Sequence, residues 1–232
     1  MVPVLFEDNH LLVINKPAGI LSQGDGHRES LVEILKEYIK VSANKSGNVY
    51  LGGIHRLDAP VSGAMVFAKT SKAASRLAQM IKDNEIVKIY IAVSASSRKI
   101  ELSDGWKHFK GSFERPAAIT TVYHDNRTST GVEHYYKILA QKGSEVVSAI
   151  RLVTGRKHQI RAFLKSINLP VSGDAAYGAV PLKNKENAIL LHAAILSFTH
   201  PVRKEGLHIT APLPEYFPGW VRDLRISENL EL

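Results

Sequence analysis

The sequence predicts an α+β fold built on a largely antiparallel sheet with flanking helices, in one domain spanning residues 1–232. Three observations lead there. Segments rich in β-branched residues come in pairs joined by short polar turns, and helix signals are few and do not alternate strictly with the strands. In addition, 44% hydrophobic content over 232 residues is enough to bury a substantial core.

Val4–Phe6 and Leu11–Ile14 read as short strands around an Asp8-Asn9 turn, after which Lys16-Pro17-Ala18-Gly19 halts regular structure. Ser30 stands three residues before Glu33, a capping-box spacing, and Leu31, Ile34, Leu35 and Tyr38 share one face of a helix from Ser30 to Lys40. Ser42–Asn48 is a polar loop, and Val49–Ile54 and Ala64–Ala68 are strands. A second helix, capped by Ser71, runs to Asn84 with Leu77, Met80 and Ile81 inward. Lys88–Val93 is the next strand. Ser94–Arg115 reads as an irregular excursion. Ile119–Tyr123, Glu133–Leu139 and Val146–Val153 form a meander, the first two linked by Asp125-Asn126-Arg127. Lys157–Ser166 has Ile160, Phe163 and Leu164 at helical spacing, Ile189–Phe198 and Leu207–Ala211 are strands, and Pro214–Leu224 is a terminal helix.

Thirty lysines and arginines against 22 acidic residues give a net charge of +8, which favours a polyanionic partner such as nucleic acid. With no cysteine, disulfides, thiolate nucleophiles and thiolate metal sites are excluded. Acidic residues interrupt the first apolar stretch before a signal core forms, and no apolar run approaches the roughly 20 residues needed to span a bilayer. A soluble cytoplasmic protein, with no membrane partner, is the expectation.

The stretch His55-Arg56-Leu57-Asp58-Ala59-Pro60-Val61-Ser62-Gly63 sets a carboxylate after an arginine at a sharp turn between two strands. Asp58 there is either a nucleophile or an aspartate that only caps the turn. A second basic segment, Thr154-Gly155-Arg156-Lys157-His158-Gln159-Ile160-Arg161, opens a helix rich in donors. A bidentate Arg161–Asp58 pair would keep the carboxylate ionised in a cleft that excludes water, with roughly 4 kcal/mol of attraction at about 4 Å and an effective dielectric near 20.

Five segments in this order, Lys16-Pro17-Ala18-Gly19, residues 55–63, Lys88-Ile89-Tyr90, residues 154–161, and Leu191-His192-Ala193 with His200-Pro201, resemble the RluA-type family of RNA pseudouridine synthases. The second and fourth are specific. The resemblance implies the pseudouridine synthase fold with a catalytic cleft, isomerisation of uridine to pseudouridine in ribosomal or transfer RNA, and no cofactor. It implies Asp58 as the catalytic aspartate, Tyr90 stacked on the target uracil, and Arg161 paired with Asp58. It also implies that Arg56 enters the RNA stack as the target nucleotide flips out, and His55, Arg156, Lys157 and His158 are expected to contact RNA. The chain departs from the family at Val61, where many relatives have threonine, and at Ala59 and Pro60. Some relatives carry an S4 domain ahead of the catalytic one; here the pattern begins at residue 4, so RNA recognition is expected from the catalytic domain or a partner, with the protein a monomer.

Taken alone, Tyr90 in its apolar strand reads as a core residue. His55, His192 and His200 match no compact ligand spacing, so no metal is expected. An aspartyl-phosphate phosphatase would want a second acid two positions after its nucleophile, where Pro60 stands. The remaining alternative is an inactive RNA-binding or RNA-chaperone protein of the same fold. Trp106, Lys107, His108, Lys110 and Arg115, in the irregular excursion, are candidates for target-specific contact or simply a solvated loop.

Overall fold

The computed structural model describes residues 2–24, 26–44, 46–114, 121–123, 131–183, 185–224, 226 and 230. The strands are β1 (Val4–Glu7), β2 (Leu11–Lys16), β3 (Gly52–Gly53), β4 (Ser62–Ala68), β5 (Val87–Ala95), β6 (Lys107–Glu114), β7 (Thr121–Tyr123), β8 (Gly131–Lys142), β9 (Glu145–Leu152), β10 (Leu191–Thr199) and β11 (Gly206–Thr210). They join in one sheet of order β1-β2-β4-β10-β5-β9-β8-β6-β7, with β11 on β10 and β3 on β4. Every pairing is antiparallel except β4 with β10, where Ser62 faces His192 and Gly63 faces Ala193. The α+β reading therefore holds.

Side chains alternate across this sheet, as the pleat requires. Leu12, Ile14, Met65, Phe67, Tyr90, Ala92 and Ile150 face one core with α1 (Leu31–Ser42) and α3 (Gln159–Ser166). Leu11, Val13, Ala64 and Val66 face the other side with α2 (Ser71–Lys82), while Ile89, Ile91 and Val93 there meet Phe217 and Val221. Strands β2 and β4 are buried on both faces, which explains their nearly continuous apolar runs.

Ser30 and Glu33 form the expected capping box on α1. The other helix boundaries move. Thr70, not Ser71, caps α2 by accepting from Ala73 N–H. α3 starts two residues late because His158 is left-handed, with φ 59°. The predicted terminal helix shrinks to one turn, α4 (Gly219–Arg222), after Pro218. Of Val49–Ile54 only two glycines join the sheet.

The predicted irregular excursion contains β6. Its alternation is diluted by Lys110 and Gly111, and Phe109 reaches the core, against His134 and Phe163. The meander is also rearranged, because β6 lies between β8 and β7. The Asp125-Asn126-Arg127 turn and Arg115 lie outside the described residues. No described helix is long and apolar enough to cross a membrane.

Candidate active site

Asp58 sits on the turn leading into β4, and the turn is clamped through its backbone. Every carbonyl from Leu57 to Val61 accepts a hydrogen bond. Ser22 Oγ donates to Leu57 O (2.6 Å), Val61 N–H to Asp58 O (3.0 Å), Gly19 N–H to Ala59 O (2.8 Å) and Ile189 N–H to Pro60 O (3.1 Å). Lys16 Nζ donates to Ala59 O (3.1 Å), Val61 O (2.9 Å) and Pro17 O (2.9 Å). The halt at Lys16–Gly19 is thus one side of the clamp, and the Lys16 side chain, fully buried, is a positioning group that its sequence signal did not reveal.

Gly63 completes the approach. Its φ is +124°, and a Cβ there would lie 2.4 Å from the backbone N and O of Ala193. Only glycine lets β4 come this close to β10. Next to it, Ser62 Oγ meets His192 Nδ1 at 2.8 Å and accepts from the Tyr216 hydroxyl at 3.0 Å.

A cleft of about 650 Å³, counting its open mouth, is lined by Arg56, Asp58, Tyr90, Arg156, Lys157, His158 and Arg161 among others. Arg161 Nη1 donates to Asp58 Oδ2 at 3.2 Å, across 103 positions of sequence. The pair is single-pronged rather than bidentate, because the other guanidinium nitrogens serve Asp174: Nε to Oδ2 at 2.6 Å and Nη2 to Oδ1 at 2.7 Å. His158 Nε2 lies 3.6 Å from the same Asp58 oxygen. Tyr90 is held by β10 on one side and β9 on the other, opposite Ala193 and Ile150, so the pleat aims its ring into the cleft.

His55 does not line the cleft. Its Nε2 accepts from Val66 N–H at 3.2 Å, which ties the start of the motif to β4. Arg56, Arg156 and Lys157 are exposed at the mouth. Among the described residues no group of three histidine or acidic side chains is placed to hold a metal ion.

Burial sets the protonation pattern. It pushes the Tyr90 phenol well up, helped by the Asp58 charge, so Tyr90 stays protonated. Burial lowers His158, against the pull of Asp58, and lowers Lys16 to about 8, again opposed by Asp58. Burial also works against the Arg161 charge, but the hydrogen bonds and charge of Asp174, with Asp58 behind them, more than offset it.

Besides Lys16, sequence reasoning missed Asp174 and Tyr177. A signal was there: the turn dipeptide Ser172-Gly173 and the breaker Gly178 bracket one acid, Asp174, within an otherwise small and apolar stretch.

Residues 10–166 match the family described as RNA pseudouridylate synthase. Ribosomal large subunit pseudouridine synthase C of Buchnera aphidicola subsp. Baizongia pistaciae is 32% identical over 95% of this chain and 70% of the relative. Ribosomal large subunit pseudouridine synthase D of Zymomonas mobilis is 32% identical over 97% of this chain and 74% of its own. The solved structure of human RNA pseudouridylate synthase domain containing 4 superposes with a TM-score of 0.72, at 23% identity, covering 99% of this chain and 94% of that one. The chain belongs to the RluA-type RNA pseudouridylate synthase family. It is accordingly an isomerase of the pseudouridine synthase class.

Proposed function

We propose that this enzyme converts uridine to pseudouridine in large-subunit ribosomal RNA, in the cytoplasm, with Asp58 as the group that drives the rearrangement. One observation carries the assignment: of the residues lining the cleft, Asp58 is the one carboxylate, and it is surrounded there by four arginines or lysines. Such a lining suits a polyanion with a single reactive point. The ribosomal target is supported by the names of the curated relatives.

The reaction breaks the N1–C1′ bond and forms C5–C1′; the C5 hydrogen leaves as a proton and N1 gains one. Three routes are open to a carboxylate beside the ribose: attack on C1′, addition at C6, or removal of a ribose proton to give a glycal. In each, Asp58 acts ionised, and Arg161 stabilises that form. Tyr90 offers a flat ring to the flipped uracil and a protonated phenol near it. Arg56, at the cleft mouth, is the side chain to replace the base in the stack. Arg156, Lys157 and His158, at the start of α3, are assigned to the RNA backbone, whereas His55, turned to Val66 N–H, supports the motif from behind.

Asp58→Asn tests the reading. Pseudouridine in RNA from a strain lacking the gene is expected to return with wild-type enzyme and not with Asp58→Asn, while RNA affinity stays within about twofold in both. Modification by the variant would remove Asp58 from the chemistry. RNA binding without modification by the wild type would favour the inactive RNA-binding alternative, and modification confined to transfer RNA would reassign the substrate.

A further inference from the structure

Arg161 has two carboxylate partners, and the better one is not Asp58. Two N–H···O contacts of 2.6 and 2.7 Å bind it to Asp174, against a single contact of 3.2 Å to Asp58. The side chains of Arg161 and Asp174 are 7% and 1% exposed, so their pair is shielded from solvent, whereas Asp58 at 18% borders the cleft. A two-pronged, buried arginine–carboxylate pair fixes the guanidinium plane as well as its position.

The segment carrying Asp174 is itself rigidly placed. Gly173 has φ +92°, and a Cβ there would fall 2.8 Å from Leu182 Cγ and 2.9 Å from Ala188 O. Ser172 N–H donates to Val93 O, and Leu190 N–H to Ser172 O, which stitches the segment to β5 and to the approach of β10. Asp174 O accepts from the N–H groups of Tyr177 and Ala179. Tyr177 then lies against the guanidinium, 5.0 Å from ring centroid to Cζ, and its hydroxyl meets His158 Nδ1 at 3.1 Å. Both groups that touch the Asp58 carboxylate are thereby braced by one turn.

We propose that Asp174 is a positioning residue: it locks the Arg161 guanidinium so that Nη1 alone is turned to Asp58, leaving the second carboxylate oxygen clear for the nucleoside. This rests on the assignment of Asp58 to the chemistry. Without Asp174 the guanidinium is free to rotate into a two-pronged embrace of Asp58, which would occupy both of its oxygens.

The first test needs no substrate. In 15N NMR spectra of the full chain, the Arg161 Nε–H is expected to exchange slowly with water in the wild type and in Asp58→Asn, and to be lost to fast exchange in Asp174→Asn. Loss in Asp58→Asn would overturn the proposal, and that arm stands even if Asp174→Asn does not fold. The second test uses total RNA, tritiated at uridine C5, from a strain lacking the gene. Tritium release by Asp174→Asn is expected to fall on the order of 10²-fold in kcat, with KM within about twofold and partial recovery in Asp174→Glu. A kcat equal to wild type would overturn the role of Asp174 while leaving that of Asp58 intact. A wild type that releases no tritium, with the Arg161 signal as expected, would instead strike the isomerase reading and leave the geometry of Arg161 standing.

Discussion

Hydrogen bonds reach Asp58 mainly through the backbone around it, so its side chain is left to the cleft. Lys16 shows what this requires. Its ammonium spans three carbonyls with three donors, and loss of one proton leaves two donors for three acceptors. With Lys16 lowered to about 8 by burial, turnover is expected to fall along an alkaline limb near pH 8, and a Lys16→Met variant should show no such limb. Stability should move the other way. The folded-state value lies below that of the free side chain, so the charged lysine opposes folding at neutral pH, and this opposition fades between about pH 8 and about 10.5. Measuring kcat and urea melts over pH 7–10 separates the two; parallel loss of both would mean that the alkaline limb reports unfolding and not the Lys16 proton. At Tyr90, whose phenol burial keeps protonated, Tyr90→Phe is expected to retain RNA affinity within about twofold while kcat drops by roughly 10²–10⁴, the range for a lost proton-transfer group. Unchanged kcat would reduce the tyrosine to a stacking surface.

Among the elements, β4 and β10 meet through Gly63, where the two backbones leave no room for a side chain. Gly63→Ala would place a methyl group 2.4 Å from the Ala193 backbone at a left-handed φ, so the parallel pairing at Ser62 and Gly63 must open. The expected result is loss of more than about 3 kcal/mol in denaturant melts, or no soluble protein. The start of α2 gives a finer comparison. Thr70 Oγ1 accepts from Ala73 N–H, so Thr70→Ala should cost about 1 kcal/mol and Ser71→Ala only a few tenths. The reverse order would restore Ser71 as the cap. Thr70 and Ser71 are both good cap residues, and the backbone chose between them: Thr70 is extended, at φ −137° and ψ 149°, as a cap must be.

For the whole molecule, pH and salt act on different surfaces. His134 and His192 are fully buried, and burial lowers each to about 4. His192 Nε2 faces the carbonyl of Ala211 at 3.2 Å and Nδ1 faces Ser62 Oγ, an arrangement that a neutral ring satisfies. Because the folded-state values lie below the ordinary value of 6.5, the unfolded chain takes up protons first. Stability is expected to be intact above about pH 6.5 and to decline toward pH 4, by up to about 3 kcal/mol for each histidine. Urea melts over that range check this, and a flat profile would mean that neither ring resists protonation. RNA affinity should instead fall steeply with salt, as the phosphate contacts proposed for Arg156 and Lys157 release counterions; a flat salt response would count against those contacts.

Strands β2, β4, β5 and β10 were legible because burial on both faces leaves nearly continuous apolar runs, and α1 because its capping box is local. Strand β6 was not, since Lys107, His108, Lys110 and Gly111 break its apolar alternation and its pairing with β8 supplies what the local pattern lacks. By itself the sequence determined the sheet-dominated class, the basic character, and the two motifs that hold Asp58 and Arg161. Only the tertiary structure decided how those motifs meet. It gave Arg161 a second carboxylate in Asp174, made Lys16 the keystone of the Asp58 turn, and set β6 between β8 and β7. Propensity and capping act over a few residues, whereas ion pairs and sheet order join residues that the chain keeps far apart, and no local pattern encodes which of them will touch.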